Sequence, residues 1–181
     1  MTAKTYISAD ELLRDSFALA ARILESGFRP TFLVGVWRGG APVGIAVQEY
    51  LEYHGVRADH IAIRTSSYTG IDEQQKTVRV HGLDYLTTHL AREDRLLLID
   101  DVFDSGRSLE AVVDTLARRC RLNLPADIRI ATVYYKPSRN RSRLRPDFHL
   151  RETDDWLVFP HELVGLTDEE ARLHKPLPPG T

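Results

Sequence analysis

The chain has 181 residues, 43% of them apolar and 28% charged, with 24 Lys and Arg against 26 Asp and Glu for a net charge of −2. That length and balance describe one globular domain of ordinary size and exclude a disordered, collagen-like or coiled-coil chain. The near-neutral total argues against a surface built throughout for nucleic acid or anionic membrane.

Ser8 is a good N-cap for a first helix, with Glu11 completing a capping box and Ile7 placed to staple against Leu12. Leu12, Leu13, Phe17, Ala20, Ile23 and Leu24 recur at helical spacing until Gly27 ends the run. Beyond Pro30, residues 31–37 (TFLVGVW) read as a buried strand. Arg38-Gly39-Gly40 is a tight turn, and Pro42 opens a second helix that runs to Gly55. A strand from Ile61 to Ser66 leads into SSYTGIDEQQKT (66–77), a polar stretch without periodicity that reads as a mobile loop. A short strand from Thr77 to Val80 and a weak helix from Leu83 to Leu90 follow. Arg95 to Asp101 (RLLLIDD) is the strongest strand and ends in two carboxylates. DSGRS then turns the chain into an amphipathic helix carrying Leu109, Val112, Val113 and Leu116, and Ile128 to Tyr135 is another buried strand. The final KPLPPGT (175–181) reads as a disordered tail.

Strands that alternate with helices and are apolar throughout imply an α/β fold, a mostly parallel twisted sheet with helices on both faces. Ligands of such sheets bind outside the carboxyl ends of the strands. Trp37 to Gly40, Asp100 to Ser108 and Lys136 all follow strand ends, so they should converge. Cys120 is the single cysteine; with no internal disulfide possible, a reducing compartment, the cytoplasm, is expected. No pair of histidines and no second cysteine suggests a zinc site. The N-terminus lacks the apolar run of a signal peptide, and no stretch approaches the roughly 18 apolar residues of a membrane span.

The chemistry concentrates after the strongest strand. Successive strand side chains point to opposite faces, so Asp100 and Asp101 need not share one space. Gly106 permits a tight turn into the next helix. The N–H groups at that helix start, the Ser105 and Ser108 hydroxyls and the Arg107 cation make a cradle for a phosphate, with carboxylates alongside. Acceptors beside anion donors suit a sugar phosphate. The triphosphate motif GxxxxGK[ST] is absent, and Gly35, Gly39 and Gly40 do not make a GxGxxG dinucleotide fingerprint.

LLLIDDVFDSGRSL (96–109) resembles the phosphoribosyl pyrophosphate (PRPP) signature of the type I phosphoribosyltransferases. VWRGG (36–40), SSY (66–68), YYKPSRN (134–140) and DDWLVFPHE (154–162) follow the order of the 6-oxopurine branch, the hypoxanthine, guanine and xanthine phosphoribosyltransferases. The resemblance implies a phosphoribosyltransferase domain over 1–164 with a small hood built from the termini. A short helix and Pro-rich tail would occupy 165–181. It implies a purine-salvage enzyme, dependent on Mg²⁺, that joins PRPP to a 6-oxopurine and releases pyrophosphate. Asp100 and Asp101 would accept from the ribose hydroxyls and, with Glu162 through water, serve the metal. Asp104, Ser105, Gly106, Arg107 and Ser108 would hold the 5′-phosphate, Asp104 also being the catalytic acceptor for purine N7. Arg38 and Gly39 would meet the pyrophosphate, at a turn where the family often has a non-proline cis peptide that would fall here at Trp37–Arg38; the sequence leaves open whether it does. Ser67 and Tyr68 would open a lid. Lys136 would donate to the 6-oxygen, Trp156 would stack on the base and Leu157 would offer backbone groups to its edge.

The resemblance further implies a homo-oligomer, dimer or tetramer, and leaves open which 6-oxopurine is preferred. A run of cations, Lys136, Arg139, Arg141, Arg143 and Arg145, admits an alternative: a regulator of the same fold that binds nucleotide and nucleic acid. The absence of interleaved aromatics and the near-neutral net charge count against it.

Overall fold

The structure, a computed structural model, describes residues 4–69 and 76–178. A six-stranded sheet of order β4-β3-β2-β5-β6-β7 forms its centre. Its strands are β2 (Phe32–Trp37), β3 (Asp59–Thr69), β4 (Lys76–His81), β5 (Arg95–Phe103), β6 (Asp127–Tyr135) and β7 (Phe148–Glu152). All pairings are parallel except β3 with β4. One face packs on α1 (Ala9–Glu25) and α2 (Gly40–Tyr53) through Leu19, Ile23, Val47, Leu97 and Val133. The other packs on α3 (Asp84–His89) and α4 (Arg107–Cys120) through Leu86, Leu98, Val112 and Leu116. The expected two-faced α/β architecture is therefore present, with one antiparallel edge.

Strand order reverses between β2 and β5, the place where open α/β sheets leave a crevice for ligands. The turn after β2 lies here against the end of β5. A Cβ on Gly39 would stand 2.0 Å from Asp101 Oδ2, so only glycine lets the turn approach the strand this closely.

The Ser8 hydroxyl accepts from the Glu11 N–H at 3.1 Å, which is the N-cap half of the expected capping box without the return bond from the Glu11 side chain, and Ile7 and Leu12 are both buried. The inward stripe of α1 differs from the simple apolar reading. Asp15 and Ser16 are buried, whereas Leu13 and Phe17 are exposed. The reason is an ion pair: Arg151 of β7 donates to Asp15 through Nε at 2.7 Å and Nη2 at 3.0 Å, which satisfies a buried carboxylate.

Strand β5 runs to Phe103, two residues beyond its predicted end, because Val102 and Phe103 continue the pairing with Tyr134 and Tyr135. The predicted loop 66–77 starts and ends as strand: Ser66 to Thr69 pair with Arg79 to Lys76. The rest of it, 70–75, lies outside the described residues. Cys120, the last residue of α4, is buried, and burial pushes its thiol up.

Three short strands escaped the sequence reading, being too brief to show a period: β1 (Lys4–Tyr6), β7 and β8 (Trp156–Val158). β1 and β8 form a separate parallel pair, and α5 (Asp168–His174) attaches to it through Glu170. This is the hood built from both ends of the chain. The expected disordered tail does not begin at Lys175, which is buried and donates to the Phe159 carbonyl.

Candidate active site

Two adjoining cavities open at the carboxyl ends of β5 and β6. The smaller, about 80 Å³, is lined by Asp100, Asp104, Ser105, Gly106 and Ser108. Gly106 caps α4 at φ 74°, a left-handed conformation that side-chain-bearing residues rarely adopt, and a Cβ there would stand 2.5 Å from the Phe103 ring. The turn so formed aims the first N–H groups of α4 at the cavity, an arrangement that favours an anion. Arg107 is exposed beyond it.

The larger cavity, about 360 Å³, is lined by Asp101, Asp104, Lys136, Arg139, Trp156 and Leu157, with Phe159 and Glu162 beyond them. Asp100 and Asp101 thus face different cavities, as their alternation on the strand predicts. Burial pushes the Asp100 carboxyl well above the usual carboxylate range, and the adjacent Asp101 charge adds to this; N–H groups of Asp101 and Gly40 oppose it. Two such carboxylates supply the hard oxygen donors that a magnesium ion takes. Among the described residues no group of three or more His, Cys, Asp or Glu gathers as a closed metal site.

Asp104 lines both cavities. Its carboxylate is held between two cations, Lys136 Nζ on Oδ2 at 3.1 Å and Arg139 Nε on Oδ1 at 2.9 Å. Lys136 itself is buried, and its N–H donates to the Phe103 carbonyl at 3.0 Å, which fixes the end of β6 beside β5. Trp156 is half exposed at the mouth, with Lys4 Nζ 5.5 Å from its ring centroid. The Ile7 N–H donates to the Val158 carbonyl at 3.0 Å. Alternate residues bond to a parallel neighbour, so the N–H and C=O of Leu157 face away from β1.

Arg38 is exposed on the turn after β2, and the peptide before it, Trp37–Arg38, is cis, a point the sequence leaves open. Ser67 is exposed on β3, next to the edge strand β4, and lines neither cavity. Tyr68 lies on the same strand, and its side chain is outside the described residues. Glu162 reaches the larger cavity, where its Oε2 accepts from the Phe159 N–H at 3.0 Å.

Two residues of the site were not foreseen. Arg139 stood within a basic run, and its spacing three residues after Lys136 was the only signal. His161 places Nε2 3.5 Å from Asp101 Oδ2, with its ring stacked on Phe159, and nothing in a lone histidine announces this. The basic run is largely engaged in holding the site. Arg143 pairs with Glu110 and Asp114 of α4, Arg141 donates to the carbonyls of Ser138 and Asn140, and the Arg141 N–H donates to Ser105. A separate cleft of about 240 Å³ runs between α2 and β3, lined by Leu33, Trp37, Ile45 and Ile61, and touches neither carboxylate cavity.

Comparison with known proteins finds the phosphoribosyl transferase domain over residues 4–164. A xanthine-guanine phosphoribosyltransferase of Desulfotalea psychrophila is 33% identical over 177 residues, covering 96% of this chain and 92% of the relative. One of Cereibacter sphaeroides is 31% identical over 166 residues, covering 88% and 87%. The crystal structure of a purine phosphoribosyltransferase from Pyrococcus horikoshii superposes with a TM-score of 0.71 at 26% identity, covering 91% of this chain and 98% of that one.

Proposed function

This chain belongs to the phosphoribosyl transferase domain family, and from that premise we propose that it is a purine-salvage transferase acting on a 6-oxopurine. The reaction displaces pyrophosphate from the anomeric carbon of PRPP by a purine ring nitrogen and yields the nucleoside 5′-monophosphate. Hypoxanthine, guanine and xanthine are the bases this reading admits. The relatives named for xanthine and guanine support it.

Asp104 carries the reading. It is the charged residue common to a phosphate-sized cavity on a helix N-terminus and a larger cavity walled by an aromatic ring; Val102, the other shared residue, is apolar. With the 5′-phosphate in the Ser105–Ser108 turn, the ribose hydroxyls donate to Asp100 and Asp101. The base then lies against Trp156, with Leu157 groups at its edge. Asp104 accepts the N7 proton, and Lys136, already 3.1 Å from that carboxylate, donates to the 6-oxygen. Arg38 and the Gly39 turn meet the pyrophosphate. Asp100 and Asp101, with Glu162 through water, would hold the magnesium ion, which supplies charge neutralisation for the leaving group. Ser67 and Tyr68 begin a lid that keeps water from the activated sugar.

The exposed apolar side chains of Trp37 and Ile45 on the α2–β3 cleft support a homo-oligomer, dimer or tetramer. The described residues contain no helix long and apolar enough to cross a membrane, and the single cysteine supports a cytoplasmic setting. Engagement of the basic run with α4 and the phosphate turn weighs against a nucleic-acid face there.

The test is Asp104→Asn, which keeps the shape and removes the acceptor. Pyrophosphate release should fall by about a hundredfold or more, the scale of a lost general base. Melting temperature should stay within a few degrees of the parent. Near-normal turnover in a folded variant would take Asp104 out of its role.

A further inference from the structure

The turn after β8 is held by a group from the far end of the chain. Phe159 and Glu162 bond reciprocally: the Phe159 N–H donates to Glu162 Oε2, and the Glu162 N–H donates to the Phe159 carbonyl, both at 3.0 Å. Lys175 Nζ donates to that same carbonyl. Lys175 is only 7% exposed, and burial pushes its ammonium below the usual lysine range, with Glu162 acting in the opposite direction. Placing an ammonium in such surroundings is costly, and an apolar side chain would fill the space more cheaply. What the ammonium supplies is direction: a fixed donor on one carbonyl.

That carbonyl belongs to the wall of the larger cavity. Leu157, Phe159 and Glu162 line it, and His161, stacked on Phe159, reaches toward Asp101. The segment bearing Lys175 is fastened independently, because Glu170 accepts from Lys4 at 2.8 Å and from the Tyr6 hydroxyl at 2.9 Å. The match to the shared domain ends at residue 164, so Lys175 lies beyond it.

We propose that Lys175 is a positioning residue for the purine cavity: its ammonium on the Phe159 carbonyl sets the Phe159–Glu162 turn and thereby the wall against which the base lies. This rests on the purine reading above. The 5′-phosphate cavity draws on none of these groups, and Glu162 serves the metal only through water, so the larger effect falls on the base.

The experiment is steady-state kinetics with hypoxanthine and PRPP varied in turn, on the full chain. Lys175→Met should raise the KM for hypoxanthine about tenfold, with the KM for PRPP within about twofold and kcat within about threefold. Lys175→Arg, which keeps a charged donor, should recover most of the loss. Should the Met variant not fold, Lys175→Gln, whose shorter amide reaches the carbonyl less well, carries the same base-selective expectation. An unchanged hypoxanthine KM, an equal rise in both KM values, or an Arg variant as impaired as Met overturns the role of Lys175. A parent protein in which none of hypoxanthine, guanine and xanthine elicits pyrophosphate release from PRPP refutes the function itself, which separates the two failures.

Discussion

One continuous stretch, Asp100 to Leu109, supplies the lining of the phosphate cavity, whereas the hood beside the purine cavity joins Lys4 to Glu170 across 166 positions. The first is a strand end, a left-handed glycine and a helix start, each dictated by its own residues. The second is a pair of three-residue strands and a seven-residue helix, none stable alone, held by the Lys4–Glu170 ion pair and a stacked Tyr6–His174 contact. Sugar-phosphate binding is therefore built into local sequence, while the fit of the base depends on the two ends of the chain meeting.

Asp100→Asn gives the larger effect and tests the local side of this contrast. Turnover should fall by about a hundredfold or more, while the melting temperature near neutral pH should rise. The sign follows from the raised Asp100 carboxyl: the folded chain holds that proton more tightly than the unfolded one. Its charge therefore destabilises the fold above the raised value. That cost disappears as pH falls through it toward the ordinary carboxylate value of about 3.9. The stability advantage of the Asn variant should shrink on acidification, as thermal melts across that range would show. A lower melting temperature at neutral pH would contradict the electrostatic account.

Lys4→Met tests the hood and should do less. The pair with Glu170 is partly exposed, and exposed pairs contribute little. The expected rise in base KM is about threefold or less, with PRPP kinetics unchanged. Lys4, the Thr167 N–H and the Tyr6 hydroxyl hold the Glu170 carboxyl at about 2. Stability from a depressed carboxylate is present above the ordinary value of about 4.3 and is lost as pH falls through the folded one. The difference in melting temperature between parent and variant should therefore close as pH approaches that value. A loss of turnover as large as that of Asp100→Asn would make the hood an equal partner in catalysis and erase the distinction.

Legibility in the sequence follows the same division. The sheet and its helices announced themselves through apolar runs and caps, and the Ser8 cap formed as its residues require. Asp100, Asp101, Asp104 and Lys136 were placed by strand ends alone. Trp156 and Leu157 needed family resemblance, because a three-residue strand has no period to read. Arg139, His161 and Lys175 were misjudged or missed for one physical reason. Each acts through a partner distant in sequence, and a basic run, a lone histidine or a lysine beside prolines gives no hint of it. Asp15 shows the same in the core: a carboxylate on the inward face of α1 makes sense only once Arg151 is beside it.

The central claim is that these two cavities hold PRPP and a 6-oxopurine together. Incubating the protein with PRPP and Mg²⁺ and each of hypoxanthine, guanine, xanthine, adenine and uracil, and measuring pyrophosphate release, tests it most directly. Release with one or more of the three 6-oxopurines, and none with adenine or uracil, is the predicted result. Release with adenine or uracil alone, or with none of the five, would contradict it.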